Sequence, residues 1–202
     1  MSRTQATGIA AAIRPARAAD FPALADFFAG LSTQARYLRF FSPLTPGLSL
    51  LRLLSGGGGT TDAVVATCGG VIIGHGMAAD SSGSCGARTT DIGVVVADAW
   101  QGQGVGSALV RALITGAQVR GVTSVTMDVM HGNDRAVAMI KGHWPTARTH
   151  RAKDCDTICV QLADAQQQPP PARPAGAGSW QAATRTRARV SGQPRPVALK
   201  NV

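Results

Sequence analysis

The sequence predicts an α/β (α+β) domain whose central mixed, mostly antiparallel sheet is flanked by helices. Three observations carry that expectation. Apolar runs of strand length recur at residues 63–67, 71–78 and 89–96, separated only by Gly69-Gly70 and by the polar stretch Asp80-Ser81-Ser82-Gly83-Ser84; connections that short join antiparallel neighbours. Segments with an apolar period near 3.6 residues lie before and after those runs. The chain of 202 residues is 45% hydrophobic, enough to bury one sizeable core.

In chain order, residues 1–12 read as a loose leader, and Ile13-Arg14-Pro15 opens the ordered domain, 13–162. Asp20 is placed to cap a helix with Pro22 in its first turn, and Leu24, Phe27, Phe28 and Leu31 share one face at core spacing. Ser32 or Thr33 caps a second, short helix, in which Tyr37, Leu38, Phe40 and Phe41 are apolar and Arg36 and Arg39 stay polar; Ser42-Pro43 ends it. Tyr37 is expected in the core with its hydroxyl at the surface. Gly56 through Gly59 make a flexible turn before the three strands. Residues 104–120 then form an amphipathic helix, with Val105, Leu109, Leu113 and Ala117 on one side and Gly121 closing it. Val125, Met127 and Val129 alternate as a further strand. Asn133 caps a helix that stops at Gly142 and Pro145, and residues 157–162 form the last strand.

Residues 163–202 form a disordered basic tail, rich in Pro, Ala, Gln and Arg, with Arg173, Arg185, Arg187, Arg189, Arg195 and Lys200 set against Asp164. Such a segment cannot bury enough apolar surface to offset its ordering entropy. Of the formal net charge of +9, this segment carries +5 and the rest of the chain +4. No nucleic-acid partner is expected for the domain, and the tail, the one segment that could meet phosphates, interleaves only Trp180 among its cations.

No apolar run approaches the roughly 20 residues that span a bilayer, and the first residues lack the apolar core of a signal peptide. The expectation is a cytoplasmic protein with no membrane partner. Cys68, Cys85, Cys155 and Cys159 show neither paired C-x-x-C spacing nor disulfide density, so no metal site is expected. All 11 acidic residues are aspartate and there is one tyrosine, so any carboxylate chemistry runs on aspartate.

The most informative stretch is Val94-Val95-Val96 followed by Ala97-Asp98-Ala99-Trp100-Gln101-Gly102-Gln103-Gly104-Val105-Gly106-Ser107. It is an apolar strand, a glycine-dense turn and a helix start. Glycines allow close backbone approach, successive N–H groups point at the ligand, and the helix dipole favours an anion. One alternative is a dinucleotide fingerprint, Gly102-x-Gly104-x-x-Ser107 with Asp128 downstream. It fits poorly, because Ala97 to Gln101 intervene between strand and glycines and Asp128 falls inside the next apolar strand.

Gln101-x-x-Gly104-x-Gly106 resembles the acyl-coenzyme A loop of the GNAT (GCN5-related) N-acetyltransferase superfamily, and the element order of residues 13–162 is similar to the GNAT fold. Leu31-Ser32-x-x-x-Arg36-Tyr37-Leu38-Arg39-Phe40-Phe41-Ser42-Pro43 and Asp98-x-Trp100-Gln101-Gly102 resemble the acetyltransferase domains of bacterial protein-lysine acetyltransferases. The resemblance implies acetyl-CoA as co-substrate. It implies that the backbone of Val94, Val95 and Val96 orients the pantetheine arm and thioester carbonyl, that Gln101, Gly102, Gln103, Gly104, Val105, Gly106 and Ser107 hold the pyrophosphate, and that Asn133 contacts the arm. Donors fixed in advance would stabilise the oxyanion that develops. Where the related enzymes carry a catalytic glutamate this chain has Asp91, expected to act as general base through a water. Seven residues after Asn133, where many members carry a tyrosine acid, stands Ile140. The function implied is acetyl transfer to a primary amine, with a protein lysine as leading acceptor. The alternatives are a small-molecule amine acetyltransferase and a non-catalytic acyl-CoA-binding sensor.

Overall fold

The computed structural model describes residues 11–56, 61–82 and 88–162. The calls on the leader through residue 10, on Gly57 to Gly59 and on the tail from residue 163 lie outside the described residues. The chain runs β1 (Ala12–Pro15), α1 (Phe21–Gly30), α2 (Thr33–Phe40), α3 (Leu48–Leu54), β2 (Thr61–Cys68), β3 (Val71–Ser82), β4 (Arg88–Val96), α4 (Val105–Val119), β5 (Ser124–Met130), α5 (Asp134–His143), β6 (Arg148–Arg151) and β7 (Cys155–Gln161). One seven-stranded sheet has the order β1-β2-β3-β4-β5-β7-β6. All its pairings are antiparallel except β4 with β5.

Helix α4 covers one face. Its Leu109 and Leu113 press on β3 because that strand offers Gly74 and Gly76 there: a Cβ would lie 3.1 Å from Leu109 Cδ1 at position 74 and 2.9 Å from Leu113 Cδ1 at position 76. The intervening His75 points to the other face. On that face α1, α2 and α3 pack Leu24, Phe28, Leu31, Ala35, Leu51 and Leu54 against Val65, Met77 and Val95.

The structure departs from the sequence-based expectation at several points. Asp20 does not cap α1. Arg14 takes both its oxygens, at 2.7 Å each, and the Arg17 N–H donates to it at 2.8 Å. The carboxylate thus closes a 3-10 turn, Ala18–Asp20, ahead of the helix. Ser32 does cap α2, accepting from the Ala35 N–H at 3.1 Å. Helix α3 was not expected, because a seven-residue run of Leu, Ser and Arg behind Gly47 carries neither a capping side chain nor a long period. Strand β3 continues past Ala78 with Asp80 opposite Thr90, since Arg120 binds Asp80 at 2.8 Å and also pairs with Asp62.

Helix α2 holds the largest surprise. Tyr37 and Phe41 are each 41% exposed, and Arg39, read as one of the polar positions of the helix, is turned toward Gly93 of the sheet with its Nε buried. The inward stripe is Leu31, Ala35, Arg39, at i, i+4 and i+8, which puts Tyr37 on the flank.

Candidate active site

Three residue pairs hold β4 to β5: Thr89 with Ser124, Thr90 with Val125, and Asp91 with Thr126. Beyond Asp91 the two strands part. The opening leads into a groove lined by α2, the strand β4, the 101–107 turn, β5 and α5.

The phase of the β3–β4 ladder decides which backbone groups face the opening. The Ala97 N–H donates to Ile73 O at 2.9 Å, so Val95, two residues back, turns its N–H and C=O to β3 while Val94 and Val96 turn theirs toward β5. Val95 therefore departs from the expected set, and its side chain is buried in the core.

Gly102 (φ 75°) and Gly104 (φ 83°) adopt the left-handed conformation that lets the turn fold back into α4. The first helical bond runs from the Ala108 N–H to Gly104 O at 3.0 Å; the amides of Gly104, Val105, Gly106 and Ser107 are those a helix start leaves without an intrahelical acceptor. The side chains of the turn do other work. Gln101 Nε2 donates to Val96 O at 3.1 Å and Gln103 Nε2 to Ala99 O at 2.9 Å, bracing the turn, and Val105 is a buried core residue at 3% exposure. What this turn offers an anion is backbone. Nothing lies within 4 Å of a Cβ placed on Gly104, so a phosphate has room to approach. A cation that sequence reasoning missed stands beside it: Arg135 Nη2 is 3.7 Å from a Cβ placed on Gly102. Its signal was its place two residues after the Asn133 cap, where α5 starts.

Asn133 is the N-cap of α5, its Oδ1 accepting from the Ala136 N–H at 3.3 Å, and it also lines the groove. Asp91 is exposed at the point where the strands part, on the same face as Gly93, and accepts a hydrogen bond from the Thr126 hydroxyl. A second carboxylate, Asp128, lies on the same open face of β5 and accepts from Thr157 Oγ1 at 2.6 Å; alternation of apolar Met127 and Val129 around it was the signal. Ile140 is buried at 2% exposure, so no phenol faces the groove there. His131 is exposed, 3.4 Å from Asp156. Burial, with nearby carboxylates adding to it, pushes the Cys155 and Cys159 thiols up, which keeps them protonated and poor nucleophiles. Asp98 accepts from the Ser32 hydroxyl at 2.7 Å and the Ser32 N–H at 3.2 Å, tying the α1–α2 turn to the loop. The Ser32 hydroxyl holds its pKa below the usual carboxylate value.

A strand edge freed by a parted sheet, ending on a glycine-rich helix start with an adjacent arginine, has the shape and charge to receive a long, phosphate-bearing ligand. The sequence matches the acetyltransferase (GNAT) family over residues 35–143. The chain belongs to the GNAT acetyltransferase family and is an acyltransferase. Among solved structures it is similar to the GNAT domain of S. lividans PAT, at 22% identity and TM-score 0.67, with 74% of this chain and 89% of that one covered. A GCN5-related N-acetyltransferase from Kribbella flavida matches at 22% identity and TM-score 0.62, covering 76% and 98%. The putative acetyltransferase yncA from Salmonella typhimurium, solved with acetyl-CoA, matches at 20% identity and TM-score 0.59, covering 76% and 94%. These likenesses are of fold. No curated protein matches the sequence.

Proposed function

We propose that the protein transfers an acetyl group from acetyl-CoA to a primary amine, with a protein lysine as the leading acceptor, by direct attack while both are bound. The observation that carries the reading is Asp91, a carboxylate at the mouth of the parted strands, on the face where the groove is open. The lysine preference rests on the sequence resemblance of residues 31–43 to protein-lysine acetyltransferases.

The chain's own groups divide the work. The amides of Gly104, Gly106 and Ser107 and the Arg135 guanidinium receive the phosphates, where positive dipole and fixed charge act together. Val94 and Val96 backbone groups align the arm along β4. Acetyl-CoA supplies the thioester that makes the acyl carbon electrophilic. An acceptor amine with a pKa near 10.4 arrives as ammonium, and Asp91, reaching through a water because its side chain is short, takes the proton before nitrogen bonds the acyl carbon and the carbon–sulfur bond breaks. The departing sulfur takes its proton from solvent, since Ile140 stands where a phenol would serve.

Acceptor-dependent thiol release, with mass spectrometry of acetylated lysines after incubation with a lysate, tests this reading. Tight acetyl-CoA binding without acceptor-dependent release would make the protein a sensor. The loop has its own test. At 100 times its dissociation constant acetyl-CoA should raise stability by about 2.7 kcal/mol, seen as a melting shift. A Cβ at Gly106 meets only Val96 Cγ2, at 3.8 Å, so Gly106→Val should fold yet lose the shift by crowding the amides. A full shift in that variant would remove the loop from the site.

A further inference from the structure

Arg39 is a half-buried charge that no described carboxylate pairs. A Cβ placed on Gly93 would lie 2.5 Å from Arg39 Cζ, 2.6 Å from Nη1 and 2.7 Å from Nη2. Three near-equal distances mean that the guanidinium lies flat on the Gly93 backbone, a seat that exists because residue 93 has no side chain. The Nε has neither solvent contact nor a hydrogen-bond acceptor, and no described carboxylate is within ion-pair distance of the side chain. The Phe40 ring lies 5.0 Å from its Cζ. The neighbouring His75 offers no charge compensation. Burial alone lowers the Arg39 pKa to about 10, which still leaves a cation at neutral pH. A ligand anion in the groove would supply the charge-assisted hydrogen bonds that the fork lacks within the fold.

The position says what kind of ligand. Arg39 lines the same groove as Asp91 and Asp128. Gly93 follows Asp91 by two residues on the same face of β4, a span of about 6.6 Å. An amine delivered to Asp91 therefore has Arg39 roughly 7 Å away on the α2 side, while the phosphate-binding turn lies at the far end of the strand.

We propose that Arg39 is an anion subsite of the acceptor groove, so that the acceptor carries a carboxylate separated from its reactive amine by four or five bonds or an equivalent fold of a peptide. The proposal rests on the acetyltransferase reading for the placement of the amine. The same chemistry is presented by a free ω-amino acid and by a lysine next to an acidic residue in a protein.

Titration calorimetry on the full chain, in two matched arms, tests it. One arm compares 5-aminovalerate with 5-aminovaleramide; the other compares the blocked dipeptide Lys-Asp with Lys-Asn. In at least one arm the carboxylate is expected to bind about tenfold tighter than its amide or better, and the arm that shows it identifies the source. In Arg39→Gln that preference should fall to near one. Should this variant fail to fold by circular dichroism, Arg39→Met replaces the charge by an apolar chain of similar length and decides the matter. Equal affinity for acid and amide in both arms, a preference that survives loss of the guanidinium, or no binding in either arm overturns the proposal. A carboxylate preference without thiol release from acetyl-CoA supports the subsite and removes the acetyltransferase reading, so the two fail separately.

Discussion

Replacing Asp91 by asparagine is expected to lower turnover by about 10² to 10⁴, the usual contribution of a positioned general base, while leaving the acetyl-CoA melting shift in place. The separation of effects follows from geometry. Asp91 stands at the last residue pair before β4 and β5 part, whereas the phosphate-binding amides begin at Gly104, beyond the other end of the opening. The loss should shrink as pH rises, because more acceptor amine is then already unprotonated. The check is a pH–rate profile of parent and variant on one accepted amine. Asp128→Asn is the informative companion, since its carboxylate shares the open face and is held by Thr157 at 2.6 Å. A parent-like profile for Asp91→Asn together with a collapsed one for Asp128→Asn would move the base to β5. Parent-like profiles for both would leave the proton to water.

The glycine-rich turn and the succession of strands β2 to β5 along the chain were readable because each depends on local signals. Glycines that take positive φ, here Gly69, Gly70, Gly102, Gly104 and Gly121, announce turns wherever they fall, and strand alternation is a property of neighbours two apart. Arg39 and Tyr37 were misplaced for the opposite reason. Which of them faces inward depends on where α2 meets β4, and a polar–apolar count prefers to bury the tyrosine. The seat for the guanidinium is a missing side chain on another element, Gly93, 54 positions away in the sequence. Val95, Gln101, Gln103 and Val105 show a related limit. Their place in the motif was visible, but whether backbone or side chain is free to bind emerged from ladder phase and from internal partners such as Val96 O and Ala99 O. The carboxylate at Asp128 was visible in sequence only as one residue of a strand, and the parting of β4 from β5 is what turns it toward a site.

Acidification should weaken the fold through His75 before any aspartate is protonated in numbers. The ring is buried at 0% exposure against Phe28, 5.3 Å between centroids, with Nε2 2.8 Å from Leu54 O. A carbonyl only accepts, so Nε2 carries the proton and Nδ1 is bare, with no partner. Charging the ring would bury a second N–H without an acceptor and set a cation near Arg39. Burial first, and the Arg39 charge second, push its pKa down from 6.5 to about 4. Between those values the unfolded chain binds a proton that the folded chain refuses. The stabilisation is therefore whole above pH 6.5, declines as pH falls, and levels off near pH 4, a total of about 3 kcal/mol. The carboxylates of Asp20 and Asp98, which hydrogen bonds hold below the usual value of 3.8, lose their contribution only at lower pH, outside this window. Urea unfolding at steps from pH 7.5 to 4 should show the decline in the parent. In His75→Gln, whose amide can still donate to Leu54 O, the curve should be nearly flat over the same range. Removing the second cause should act in part: Arg39→Gln is expected to raise the pH at which the decline levels off. If the parent and His75→Gln fall in parallel between pH 6.5 and 4, some other group titrates there and the buried imidazole is not what limits the fold in acid.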